Sequence, residues 1–121
     1  AAKVVIAVRD SETREIVARG LDADGCETRL AGSTIEMLQA VVETRPAVLV
    51  FDLALEGLAP EVVIAVMHKL SPQTRIVVRP TESGMKDADV IEKGVFFYAA
   101  GIDADQLTDA VRAGIRQWEK R

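Results

Sequence analysis

Asp52 closes the apolar run Ala47-Val48-Leu49-Val50-Phe51, which reads as a buried strand. A carboxylate at the carboxyl end of a buried parallel strand lies where an open α/β sheet places its chemistry. Such a group can accept a phosphoryl group or help hold a divalent cation, and either task needs partners from neighbouring strand ends. The chain offers Val8-Arg9-Asp10, Arg79-Pro80 and Ala100-Gly101 for this. That set is short of the carboxylates a tight Mg²⁺ site wants, and it contains no lysine, serine or threonine. It does contain arginine, whose guanidinium carries a fixed charge and a bidentate fork. A buried carboxylate without a partner is costly. The expectation is therefore an Asp–Arg cluster in which Asp52 faces Arg9 and Arg79.

The other candidate groups have plainer readings. Asp10 has the position of an N-cap for a first helix, although a one-residue shift would bring it into the Asp52 pocket. His68 stands beside Lys69 on a helix away from the strand ends, and as the single histidine it excludes two-histidine metal motifs. Cys26, the single cysteine, excludes an internal disulfide and suits a reducing compartment. Acidic residues outnumber basic ones, 19 to 15, for a net charge of −4, which argues against nonspecific nucleic-acid binding. No apolar stretch approaches the roughly 20 residues of a membrane span, and no secretory leader is visible, so a cytoplasmic protein without membrane or direct nucleic-acid contact is expected.

These residues need elements to position them, and the pattern supplies five βα units in one domain, residues 1–121. Apolar runs at 3–8, 47–51 and 95–99 suit strands buried on both faces. A more polar strand at 26–31 belongs at a sheet edge, and a fourth runs over 75–78. Helical periodicity covers 11–24, with Gly25 as a left-handed cap. Ser33 and Glu36 have capping-box spacing before a second helix, on which Ile35, Leu38 and Val42 share a face. Pro60 opens a third helix with Val63, Val66, Met67 and Leu70 as its stripe. A weaker helix is expected over 83–93, and Asp103 caps a last one with Leu107, Val111, Ile115 and Trp118 buried. Alternation of this kind implies a parallel sheet with right-handed helical crossovers on both faces.

The order of elements, Asp52 at the end of the third strand and the segment Leu55-Glu56-Gly57-Leu58, where the family often has Met-Pro-Gly-Met, together resemble the receiver domain of two-component response regulators. The resemblance covers essentially the whole chain. It implies a flavodoxin-like sheet of order 2-1-3-4-5 with five flanking helices, and it puts Asp52 at the position of the phosphoacceptor. The same alignment places Val8 and Arg9 where the family has its two acidic residues, and Arg79 where it has Thr or Ser. Ala100 falls on the family's lysine, Gly101 on the following proline, and Phe97 on the switch aromatic of the fifth strand.

What the resemblance implies is an atypical, pseudo-receiver domain. It would be a non-enzymatic regulatory module working through a protein partner or a covalently linked output domain, without phosphorylation and without a cofactor. Val8, Arg9, Asp10, Arg79 and Ala100 would surround Asp52. Two alternatives remain. One is a working receiver, phosphorylated on Asp52 by a histidine kinase in a phosphorelay with Mg²⁺. The other is a small flavodoxin-like ligand-binding domain, for which the chain shows no Gly-x-Gly-x-x-Gly and no Walker-type loop. In the family, the face of the fourth helix, fifth strand and fifth helix often mediates pairing, so a homodimer through that face is a further expectation.

Overall fold

Buried side chains alternate between two faces of a parallel sheet, as the pleat requires. The computed structural model describes residues 1–81, 97–98 and 103–120. Four five-residue strands, β1 (Lys3–Ala7), β2 (Glu27–Ala31), β3 (Val48–Asp52) and β4 (Arg75–Arg79), are joined by the two-residue pairing β5 (Phe97–Tyr98). Every pairing is parallel and the order is β2-β1-β3-β4-β5. Four helices are described: α1 (Ser11–Ala23), α2 (Thr34–Thr44), α3 (Pro60–Leu70) and α4 (Ala104–Glu119). The helix expected over 83–93, the start of the expected fifth strand, and Ala100 and Gly101 lie outside the described residues.

One face of the sheet presents Val5, Leu49, Phe51 and Val78 to α2 and α3, and the other presents Val4, Ile6, Val48 and Val77 to α1 and α4. The central strand β3 is buried at all five positions, which is why it reads as an uninterrupted apolar run ending in Asp52. The edge strand β2 is exposed at three of its five positions.

The helix ends follow from local chemistry. Asp10 caps α1 by accepting the Thr13 N–H at 3.1 Å, and Gly25, at φ 87°, takes the left-handed turn that ends it. Ser33 Oγ accepts the Glu36 N–H at 3.2 Å, while the Glu36 carboxylate reaches back to the Gly32 N–H rather than to that of the cap residue. Asp103 accepts the Gln106 N–H at 2.8 Å at the start of α4. Arg45 takes a left-handed C-cap before Pro46, and its guanidinium bonds the Leu70 carbonyl.

Ile35, Leu38 and Val42 share a face of α2, and it is not the face that packs on the sheet. Leu38 is partly buried against the core at the margin of that face. Ile35 is 58% exposed and Val42 49% exposed, whereas Thr34, Met37, Ala40 and Val41 are buried. The helix carries two apolar stripes, and Met37 and Val41, with the small Ala40 between them, fit the surface offered by Val5, Ala7 and Phe51.

Candidate functional site

The register of β3 against β4 pairs Asp52 directly with Arg79 at the carboxyl ends of both strands. Their side chains meet: the Arg79 guanidinium lies 3.1 Å from Asp52 Oδ2. The same Arg79 nitrogen is 2.5 Å from Asp10 Oδ1, so one guanidinium bridges two carboxylates from β3 and the β1–α1 junction. Asp52 is 1% exposed. Its Oδ2 also accepts the Arg9 N–H at 2.9 Å, and its Oδ1 accepts the Ala54 N–H at 2.9 Å. Both oxygens of this buried carboxylate are thus satisfied, as burial of a charge demands.

Arg9, Asp10, Asp52, Ala54 and Arg79, with Pro80 and Thr81, line an open cleft of about 420 Å³ at the strand ends. Asp10 has two roles there, helix cap and ion-pair partner. Partial burial pushes its carboxyl up, but hydrogen bonds from Thr13 and Arg79 outweigh this and hold it well below the usual carboxylate range. Burial pushes the Arg79 guanidinium down, and the hydrogen bond to Asp10 with the charge of Asp52 raises it further above neutrality. Both shifts favour the charged forms of Asp10 and Arg79.

The structure sorts the expected neighbours of Asp52. Arg79 and Asp10 join it by their side chains. Arg9 joins it by its backbone N–H rather than by the expected guanidinium, because the chain turns outward after β1 and leaves the Arg9 side chain exposed. Val8, expected as a pocket neighbour, is wholly buried with Val17, Leu21 and Leu107. Period-two alternation gives it the side of Val4 and Ile6, and the register that sets Ala7 opposite Phe51 brings it level with Asp52, on the face that Val48 and Val50 share. Phe97 lies in β5, opposite Val77 in register. Ala100 lies outside the described residues.

Two supporting features were not expected. Arg14, on the first turn of α1, donates to the Val8 carbonyl at 2.8 Å and fastens the turn that carries Arg9 and Asp10. The loop after Asp52 is tied to α2: the Leu58 N–H donates to Thr34 Oγ1 at 2.9 Å, and the Thr34 N–H donates to the Glu56 carbonyl at 3.1 Å. Gly57, at φ 124°, allows that approach, since a Cβ there would come within 2.0 Å of Thr34 Oγ1. The glycine after Asp52 was the available signal for the loop; nothing in the pattern named Thr34.

A larger cleft, about 520 Å³, lies at the opposite, amino-terminal edge of the sheet beside Cys26, Asp24 and Arg112. Within it Arg112 pairs with Asp24 at 2.7 Å. Burial, with the charges of Asp24 and Asp22, pushes the Cys26 thiol up and away from reactivity.

The sequence matches no protein-family model and no curated protein. Its fold has many counterparts among solved structures. A response regulator receiver domain protein from Clostridium thermocellum superposes with a TM-score of 0.83 at 20% identity, over 99% of this chain and 98% of that one. NtrX from Brucella abortus gives 0.84 at 21% identity over 99% of this chain, which spans only 28% of the NtrX chain. An adenylate cyclase from Rhodopirellula baltica gives 0.84 at 20% identity, over 98% of this chain and 90% of that one. At these identities the likeness is one of fold: a parallel α/β sheet with the architecture of response-regulator receiver domains. Among the described residues no helix is long and apolar enough to cross a membrane.

Proposed function

We propose that this chain is an atypical receiver domain, a non-enzymatic regulatory module of signal transduction that acts through protein contacts and not through phosphorylation. The observation that carries this reading is the Arg79 guanidinium bound to both Asp52 and Asp10. A carboxylate that accepts a phosphoryl group must present a free oxygen, and charge developing on the transferred group must be neutralised by metal or cations. Here Asp52 Oδ2 is held by Arg79 and the Arg9 N–H, and Oδ1 by the Ala54 N–H.

The donor set does not fit Mg²⁺. That ion demands a near-octahedral shell of oxygens. Among the described residues the cleft offers two carboxylates, Asp10 and Asp52, both engaged by one guanidinium, with Arg9 at the rim. Two arginines against two aspartates leave the cleft formally neutral and without the attraction a divalent cation needs. Arginine replaces a metal's charge but not its coordination positions. The pocket therefore stays in one state, and the module signals by what binds it. A partner protein, such as a histidine kinase, or a covalently linked output domain suits such a module in the cytoplasm. Pairing through the face of β5 and α4 is a further possibility within the same reading.

The test is exposure of the chain to a small phosphodonor, and separately to beryllium fluoride, each with Mg²⁺, followed by intact mass and by amide NMR around Asp52. Unchanged mass, and no saturable shift at sub-millimolar Mg²⁺, are expected. A stoichiometric phosphoryl adduct that disappears in Asp52→Asn would overturn the proposal in favour of a working receiver.

A further inference from the structure

Exposed apolar side chains scattered singly over a surface are ordinary, but a contiguous group of them marks an interaction site. The described residues expose five large apolar side chains, and four of these, Ile35, Val42, Leu58 and Val62, belong to α2, α3 and the loop between β3 and α3. Ile35, Leu38 and Val42, at i, i+3 and i+7, form the outward stripe of α2, and with Gln39 and Glu43 they line a shallow groove. The Leu58 N–H bond to Thr34, the chain neighbour of Ile35, holds Leu58 beside the first turn of α2. Val62 follows one turn later on α3, which packs against α2.

The charges carried by α2, the β3–α3 loop and α3 as far as Met67 have one sign. Residues 33–44 and 46–67 contain no lysine or arginine; their charged residues are Glu36, Glu43, Glu56, Glu61 and the buried Asp52. Glu43 is paired with Arg29 at 2.8 Å. Glu36, Glu56 and Glu61 are exposed and make no ion pair among the described residues. The nearest cation, Arg29 on β2, is spent on Glu43, and Arg45 and Lys69 sit at the far ends of the two helices, with Arg45 committed to the Leu70 carbonyl. An apolar stripe with an acidic rim repels a second copy of itself, since an isologous contact would set acid against acid. It repels an anionic membrane surface for the same reason.

We propose that the α2–α3 face is a docking groove for a basic amphipathic helix of a partner protein. Its apolar positions would lie on Ile35, Leu38, Val42 and Leu58, and its flanking lysines or arginines would meet Glu36, Glu56 and Glu61. This gives the interaction module a surface that is distinct from the Asp52 cleft. It stands whether or not Asp52 accepts phosphate, so its failure and the failure of the phosphorylation reading are read in different experiments.

The probe is a synthetic amphipathic helix with leucines at i, i+3, i+4 and i+7 and lysines on both flanks, titrated into the isotope-labelled chain and followed by amide NMR. Shift changes confined to α2 and to residues 56–62 are expected, with affinity falling several-fold from low to physiological salt. Ile35→Asp or Glu36→Lys with Glu61→Lys should weaken binding about tenfold by removing an apolar anchor or the rim charge. Leu30→Asp, at the exposed apolar side chain outside the patch, should leave it unchanged. These substituted positions are on the surface, and an unaltered amide spectrum verifies each fold. Binding elsewhere, no binding, or equal binding of a peptide with glutamates in place of lysines overturns the proposal. So do patch shifts that grow with protein concentration alongside a dimer mass, or shifts produced by anionic vesicles.

Discussion

At the scale of single residues, Arg79 decides what the cleft can do. It occupies an Asp52 oxygen, puts a positive charge at the strand ends and engages Asp10. Removing one partner of a buried ion pair leaves the other charge stranded, typically at several kcal/mol. Asp52 keeps two backbone N–H bonds, from Arg9 and Ala54, which soften the loss. Arg79→Met is therefore expected to destabilise the chain by about 1–3 kcal/mol in urea denaturation at neutral pH. Adding Asp52→Asn should recover part of that, because the stranded charge is gone. The pH dependence has a definite sign. The Asp10 carboxyl is depressed in the folded state against the upward push of burial, by Thr13 and Arg79. Its contribution is present above the ordinary carboxylate range, near pH 4, and is lost as pH falls towards the depressed folded value. The difference between wild type and Arg79→Met should therefore shrink as pH drops below about 4. A difference that grows on acidification would show that the Asp10–Arg79 contact does not contribute.

At the scale of elements, the ends were more legible than the faces. Asp10, Ser33, Pro60 and Asp103 each mark a helix start through a bond or ring that depends on a few adjacent residues, and each helix begins where its cap puts it. The buried face of α2 depends on a surface assembled from β1 and β3, so periodicity could name two stripes but not choose between them. The site divides in the same way. Asp52 at a strand end and an arginine beside it follow from residue types, whereas the Arg9 contact runs through a backbone N–H that every residue possesses. The Thr34–Gly57 contact is equally local to the folded structure, and it makes a sharp prediction. Gly57→Ala combines a positive φ with a Cβ 2.0 Å from Thr34 Oγ1, and should cost about 2–4 kcal/mol. Thr34→Ala alone loses one bond to the Leu58 N–H, at about 1 kcal/mol. In the double variant the nearest remaining Thr34 atom is the Cβ at 3.2 Å, so the clash is relieved while the backbone strain persists. The two changes should therefore combine to less than their sum in denaturant titrations. Strict additivity would mean that the loop does not rest on α2.

At the scale of the whole molecule, two apolar layers share one sheet. The layer under α2 and α3 and the layer under α1 and α4 are both built on alternate residues of β1, β3 and β4. Neither layer can lose its strands without removing the floor of the other. Arg112 on α4 also ties to Asp24 at the end of α1, and Thr74 bonds the Pro46 carbonyl, joining the approaches to β3 and β4. Such an arrangement unfolds as a unit. Trp118, on α4, reports the second layer through its fluorescence, and far-ultraviolet circular dichroism reports all the helices. The two denaturation curves are expected to coincide in midpoint and slope. Valine-to-alanine changes at Val63, in the first layer, and Val111, in the second, should each move both curves together, by about 1–3 kcal/mol for a fully buried side chain. A Trp118 transition that precedes the loss of helix would mean that the α1–α4 layer can open on its own. A sheet with an Arg79-locked cleft above it would then still have a mobile face, and regulation of this fold would have to be sought in that opening.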